Sequence, residues 1–355
     1  MAYVAVSGGR EAIEESIRLL DFFREGTEEE LKLQAIEEKM GLLVDRVMSE
    51  AGFYNCHYAA IALKQSEGCV EEAVFLLRAF RSTLTRNYYT KPADLSHARL
   101  IRRISAAFKD IEGGQMLGAT YDYTHRLLNF DLEEETAGDL TKRVRELLKN
   151  AGREPVEHPN RVSDTLKAEG LIEAFPEDDT EPFDVTSHML EFPAPRSARL
   201  QTLTRADTGY ISGLAYSCLR GFGQVHPTVG ELRSGYLELE VPYLFGEDQS
   251  MVIGEILVTE VESFAESDDG DKLKLSVGYG AVFGRNENKA IAMSILDREL
   301  DEGGTAPTND EEFVLMHGDS LEMNGFISHL KLPHYVTFQS KLDAVRKTRE
   351  EKSHE

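Results

Sequence analysis

The fold is decided by the stretch Met251-Val-Ile-Gly-Glu-Ile-Leu-Val-Thr-Glu-Val-Glu-Ser-Phe264, the acidic tetrad Asp268-Asp-Gly-Asp271, and Lys272-Leu-Lys-Leu-Ser-Val-Gly-Tyr-Gly-Ala-Val-Phe283. Two β-branched, apolar runs flank a turn of Asp and Gly, the pattern of an antiparallel hairpin. Just upstream, Tyr236 to Val241 alternates Leu237, Leu239 and Val241 with Glu238 and Glu240, as a half-buried strand does. Asn286 is placed to cap a helix running to Leu300, and Gly209 to Leu219 reads as another helix.

Working outward, the first 130 residues read as helices after one short strand, Tyr3 to Val6. Ile13, Ile17, Leu20 and Phe23 recur at steps of three and four and predict one buried stripe. Gly26 ends that helix, and Thr27 with Glu30 forms a capping box for the next, which carries Leu33, Ile36, Met40, Leu43 and Val47 on one face. A further stripe holds Ala73, Leu77, Phe80 and Leu84. Pro92 then breaks the pattern, and Ser96 can cap a helix through Phe108. Residues 131–195 differ: they hold Pro155, Pro159, Pro176, Pro182, Pro193, Pro195 and the acidic run Glu177-Asp-Asp179, and read as an exposed linker with one helix, Leu140 to Lys149. Helices first and strands later give an α+β fold. The expected domains are a mainly helical one over 1–130, the linker over 131–195 and an α+β one over 196–355.

The charge sets the class of partner. With 63 acidic and 39 basic residues the net charge is −24, and such a surface repels nucleic acid and anionic membranes alike. An anionic substrate must be met by a local basic cluster or a metal ion. Arg outnumbers Lys, a balance that concentrated salt would screen and that an ordinary acidic protein also shows. Cys56, Cys69 and Cys218 form no CxxC pair, which points to a reducing compartment and to no iron–sulfur cluster held by this chain alone. The start of the chain lacks the basic flank and long apolar run of a signal peptide, and no run reaches the ~18 apolar residues of a membrane span. A cytoplasmic protein is expected.

Four clusters could carry chemistry. Arg99, Arg102 and Arg103 fall on neighbouring turns of the helix expected after Ser96, with Lys109 beyond. Guanidinium groups bind phosphate bidentately, so these residues are candidates for a polyphosphate cradle; a helix face paired with acidic neighbours has the same composition. Tyr121-Asp-Tyr-Thr-His-Arg126 gathers a carboxylate, an imidazole and a guanidinium. Cleavage of a ribose–base bond needs a carboxylate to stabilise the sugar cation and a proton donor for the base, roles open to Asp122 and His125, with Arg126 beside them for phosphate. Gly278, Gly280 and Gly284 have the glycines of a phosphate-binding turn without GxGxxG spacing, and a hairpin end or bulge explains them equally. His329 and His334 lie five apart around Pro333, so a regular helix cannot bring them together; across a turn they could share one metal, and two ligands are too few for structural zinc.

Read as strings, these clusters resemble the PhnI family. The matching segments are Tyr3-Val-Ala-Val with Gly8-Gly9, Val44-Asp-Arg-Val-Met48, Ala62-Leu-Lys-Gln65, Phe75-Leu-Leu-Arg-Ala79, Arg102-Arg-Ile-Ser-Ala106, Lys109-Asp-Ile111 and Gly113-Gly-Gln115. Then come Thr120-Tyr-Asp-Tyr-Thr-His-Arg-Leu-Leu128, His226-Pro227, Arg233-Ser-Gly-Tyr236, Gly278-Tyr-Gly280, Val282-Phe-Gly284 and Ser328-His-Leu-Lys-Leu-Pro-His-Tyr335. They fall in order along the chain outside 131–195. The resemblance implies a subunit of the carbon–phosphorus lyase core complex. That complex displaces adenine from ATP (or guanine from GTP) with methylphosphonate, giving alpha-D-ribose 1-methylphosphonate 5-triphosphate. It implies Mg²⁺ with the triphosphate, a partner radical iron–sulfur subunit that later breaks the carbon–phosphorus bond, and Zn²⁺ on His329 and His334 at the interface with that subunit. The nucleosidase residues do not carry over by motif. A non-catalytic scaffold lending two histidines to a shared metal is the alternative; a free-standing zinc hydrolase lacks HExxH or a third local ligand.

Overall fold

The computed structural model describes residues 9–26, 30–133, 138, 141–142, 144–146, 159–172, 180–222, 226–243, 245–246, 249–268 and 273–353. The strand at Tyr3 to Val6, the Thr27 capping box and much of the helix at Leu140 to Lys149 fall outside them. The chain divides into two compact units, one of Met1–Thr85, Pro182–Leu214 and Gly303–Glu355, the other of Arg86–Glu181 and Ala215–Glu302. Helices and one antiparallel sheet make the fold α+β, as the sequence predicts. No helix among the described residues is long and apolar enough to cross a membrane.

The first unit is helical. Helix α1 (Arg10–Glu25) forms where the periodicity places it, yet buries no residue: Ile13, Ile17, Leu20 and Phe23 are each more than half exposed, so the stripe expected in the core lies on the surface. The single helix expected from Leu33 to Val47 is two, α2 (Leu33–Lys39) and α3 (Gly41–Ala51), because Met40 leaves helical geometry at φ −111° and ψ 31° ahead of Gly41. Helix α4 (Cys56–Gln65), not read from the sequence, starts where the Asn55 side chain accepts the Tyr58 N–H at 2.9 Å. Helix α5 (Val70–Ser82) completes the core, in which Ile36, Val44, Val47, Met48, Leu63 and Leu77 are buried. The unit also holds α7 (Arg196–Arg205), the first part of α8 (Thr208–Ser217), and α10 (Glu311–Met316), α11 (Ser320–His329) and α12 (Tyr335–Ser353).

The second unit is built on four antiparallel strands in sequential order: β1 (Arg99–Ile104), β2 (Thr228–Pro242), β3 (Ser250–Asp268) and β4 (Leu273–Phe283). The hairpin read from the sequence is β3–β4, paired from Val258↔Phe283 to Asp268↔Leu273. Strand β1 corrects the helix expected from Ser96 to Phe108. Asp94, not Ser96, caps one short turn by accepting the Ser96 N–H at 2.8 Å, and the chain then runs extended against β2. The linker reading of 131–195 needs a similar amendment, since helix α6 (Val162–Ala168) buries Val162 and Leu166 against Ile172 and Phe264.

Helix α9 (Glu287–Glu302) crosses the other face of this sheet so closely that β4 must offer glycine beneath it. A Cβ on Gly278 would lie 1.8 Å from the Ser294 carbonyl oxygen, and one on Gly280 2.3 Å from that of Ala290. The face away from α9 is polar at its centre. Arg103, Arg233 and Glu260 stand in register across β1, β2 and β3, with Glu231, Glu262 and Tyr279 in the next row. Arg103 and Glu231, 2% and 1% exposed in their side chains, form an ion pair; Glu231 also accepts the Val162 N–H at 2.9 Å, tying α6 to the sheet. A buried guanidinium stays charged, so its partner cannot be removed cheaply. Glu231→Ala is expected to lower unfolding free energy by about 3–5 kcal/mol, and Arg103→Met with Glu231→Leu by clearly less. Urea unfolding followed by circular dichroism checks this; equal losses in the two variants would contradict it.

Candidate functional site

Consecutive side chains of a strand point to opposite faces. Arg102 therefore points to the α9 side while Arg103 joins the polar face, and Arg99, at the strand's start, lies over the Tyr236 ring at 4.6 Å and pairs with Glu255 at 3.0 Å. A phosphate cradle of all three needs one face, and β1 divides them between two. Arg103 is spent on Glu231 and on the carbonyls of Glu112 and Asn160. Lys109 is exposed, with its carbonyl accepting from Gln115. Gly278 and Gly280 serve the close passage of α9 rather than a phosphate turn.

Arg102 does gather a site. Its Nη1 donates to the Leu117 carbonyl and its Nη2 to Asp122 Oδ2 at 2.6 Å, which holds the exposed turn Tyr121–Arg126 against the sheet. Glu287 Oε1, in the first turn of α9, lies 2.8 Å from Arg102 Nε, close enough for an ion pair but off the N–H axis, so that this buried donor makes no hydrogen bond. Arg126 adopts left-handed backbone geometry (φ 53°) and brings Nη2 to 3.6 Å from Asp122 Oδ1. Of the residues selected from sequence, Asp122, Arg102 and Arg126 come together; His125, Tyr121 and Tyr123 stand exposed in the same turn. Glu287 was missed. It is an ordinary first-turn acid of a capped helix until the fold sets it beside Arg102. Burial pushes its carboxyl above the usual range and nearby Asp122 adds to this, while the Arg102 charge pulls the other way.

The polar face carries a second set the sequence did not reveal. Arg161 lies 3.2 Å from Glu260 and 3.4 Å from Glu262, and the Tyr279 hydroxyl donates to Glu260 Oε2 at 3.0 Å. Burial raises Glu260 despite Arg161 and Arg233. This network fastens α6 over the sheet.

In the first unit, α11 ends at His329, and a turn over Leu330–Leu332, followed by Pro333, delivers His334 ahead of α12. The ring centres lie 5.4 Å apart. His329 Nδ1 meets the Phe326 carbonyl, and His334 Nδ1 meets that of Leu332 at 2.6 Å. A carbonyl only accepts, so each Nδ1 carries the proton and each Nε2 keeps its lone pair, the form that ligates metal. Two imidazoles on one tetrahedral zinc have ring centres about 5 Å apart, given zinc–nitrogen bonds of about 2.0 Å. The separation of the two rings is compatible with a shared ion. No group of three or more metal-ligating side chains occurs among the described residues, so these two would need further donors to hold an ion.

Fold and site together define a class: an α+β protein with one charged cluster over a sheet and a pair of histidines at a helix end. The chain belongs to the family of bacterial phosphonate metabolism proteins, PhnI, whose model matches residues 2–352. It is 44% identical over 362 residues to the alpha-D-ribose 1-methylphosphonate 5-triphosphate synthase subunit PhnI of Escherichia coli (strain K12), covering 99% of each chain. It is also 44% identical over 363 residues to the subunit of the same name from Rhizobium meliloti (strain 1021), covering 98% of this chain and 95% of that one.

The Arg102 anchorage is directly testable. Arg102→Met removes charge-assisted hydrogen bonds worth about 1.5–3 kcal/mol each, so amide exchange over 117–126 is expected to quicken about 10- to 100-fold with β3 unaffected. Mass-detected hydrogen exchange checks it; an unchanged loop would show that the turn is held by other means.

Proposed function

We propose that this chain is the base-displacing subunit of an alpha-D-ribose 1-methylphosphonate 5-triphosphate synthase, in which methylphosphonate displaces adenine from ATP, or guanine from GTP. The observation that carries the reading is the Asp122 carboxylate, held at the surface of an acidic protein by a buried guanidinium. Breaking a ribose–base bond builds positive charge on the sugar, and an ionised carboxylate fixed in place stabilises it without reorganising. Arg126 lies within reach of the same carboxylate, and its exposed guanidinium suits a phosphate or phosphonate oxygen. Magnesium bound to the triphosphate would neutralise charge that the net −24 of the chain otherwise repels.

His329 and His334 would hold zinc together with donors from a partner, which we take to be the radical iron–sulfur subunit. Zinc bound there would supply a Lewis acid. Supporting this is the apolar surround: Phe326, Ile327, Leu330, Leu332, Tyr335 and Val336 are all more than half exposed, as an interface requires before its partner docks. The same surface favours a second reading, a scaffold subunit that lends histidines and performs no chemistry.

Adenine release from ATP and methylphosphonate, measured for the full chain alone and in its assembled complex, separates the two. Asp122→Asn is expected to cut release about 100-fold while folding and assembly survive. His329→Ala with His334→Ala is expected to remove zinc and stop phosphonate breakdown while sparing release. Undiminished release in a well-folded Asp122→Asn protein would leave the scaffold reading standing.

A further inference from the structure

We infer that Glu287 is the proton donor to the departing base, acting as the neutral half of an unequal carboxylate pair with Asp122. This rests on the reading of the Arg102 cluster as the place of glycosidic displacement.

The Arg102 guanidinium holds both carboxylates. Its Nε and Nη2 form one edge, which ordinarily forks onto a single carboxylate. Here that edge is shared: Asp122 Oδ2 lies 2.6 Å from Nη2, and Glu287 Oε1 lies 2.8 Å from Nε. Arg102 is 3% exposed and its one charge faces two carboxylates. Two carboxylates on one guanidinium edge oppose each other's ionisation, and one retained proton is placed on the pair as part of the proposal. Asymmetry decides where it sits. Asp122 is 46% exposed, takes the aligned Arg102 hydrogen bond and has Arg126 beside it. Glu287 is 22% exposed, and its contact with Nε lies off the N–H axis, a poorer contact than the hydrogen bond Asp122 takes, so burial weighs more heavily on it and favours the acid. The amino end of α9 weakly prefers a carboxylate, a preference the neighbouring Asp122 charge opposes. The groups bearing on Glu287 are thus Arg102 from β1 and Asp122, with Arg126 behind it, from the turn. The net upward direction of its ionisation comes from burial, which outweighs the lowering by the Arg102 charge and contact, with the Asp122 charge adding to the rise.

The chemistry balances. As the bond from the anomeric carbon to the base breaks, its electron pair goes to the base, and the Glu287 proton goes to a ring nitrogen. A phosphonate oxygen forms the new bond to the anomeric carbon while Asp122 faces the developing cation. The phosphonate hydroxyl then returns a proton to Glu287, leaving neutral base and an anionic phosphonate ester.

The test compares two substrates in the assembled complex: ATP, whose base needs a proton to leave, and a para-nitrophenyl ribofuranoside triphosphate, whose nitrophenolate does not. With ATP the wild-type rate is expected to fall as pH rises through the Glu287 ionisation, because the acid form is lost; the nitrophenyl substrate should show no such limb. Glu287→Gln is expected to slow ATP about 100-fold or more and the nitrophenyl substrate less than about 5-fold, whereas Asp122→Asn slows both. Retained nitrophenyl turnover itself shows that the variant is folded. If Glu287→Gln does not fold, the two wild-type pH profiles decide: parallel profiles overturn the assignment. Equal losses on both substrates in a variant of unchanged melting temperature also overturn it. Wild-type complex that releases neither leaving group would refute the underlying reading of the site, and this inference with it.

Discussion

Two buried arginines next to one another on a strand impose a demand that the surrounding chain has to meet. A guanidinium does not give up its charge inside a protein, and each presents five donors in a fixed plane. Arg102 and Arg103 sit on opposite faces of β1, 3% and 2% exposed in their side chains. To satisfy Arg103 the chain brings in Glu231 from β2 and the carbonyls of Glu112 and Asn160. To satisfy Arg102 it brings in the Leu117 carbonyl, Asp122 and Glu287. The loop that follows β1 is therefore tied back to the sheet by charged and polar contacts. Of the two, Arg103 is satisfied by its structural partners, whereas Arg102 ends on two surface-reaching carboxylates with one donor uncommitted. That difference is why the proposed function is placed at Arg102.

The position of Glu287 follows from packing. Helix α9 lies so near β4 that glycine is required at Gly278 and Gly280, and this proximity brings the helix start down to the level of Arg102. Alanine at Gly278 would have to displace the Ser294 carbonyl, and the helix with it. The glycines that resemble a phosphate loop in the sequence thus act on the site indirectly, by letting the helix approach.

What could be read from the sequence was what depends on local periodicity. Strands β3 and β4 alternate, and α1 and α5 repeat at helical spacing, so their existence was legible. Periodicity identifies an amphipathic helix but not what covers it, which is why the α1 stripe reads as core and is exposed. Leu-Ile-Arg-Arg-Ile fits either period over so short a run, and only pairing with β2 makes it a strand. The Arg–Glu rows of the polar face run against the rule that strands bury apolar residues, and register alone reveals them. Asp122 was visible because it stands among Tyr, His and Arg in one turn; Glu287, far along the chain, had no local signal. The histidine pair came from the resemblance; in the fold both Nδ1 atoms lie on backbone carbonyls, a contact no spacing in the sequence reveals.

The central claim is that the Arg102 cluster is where the base leaves the ribose. The most direct measurement is a cryo-electron microscopy structure of the assembled complex with a non-cleavable ATP analogue and methylphosphonate. The account predicts the anomeric carbon about 3.5 Å from an Asp122 carboxylate oxygen with Glu287 on the side of the base, as near-attack geometry requires. A ribose bound away from Arg102, or in a pocket formed wholly by other subunits, would contradict it.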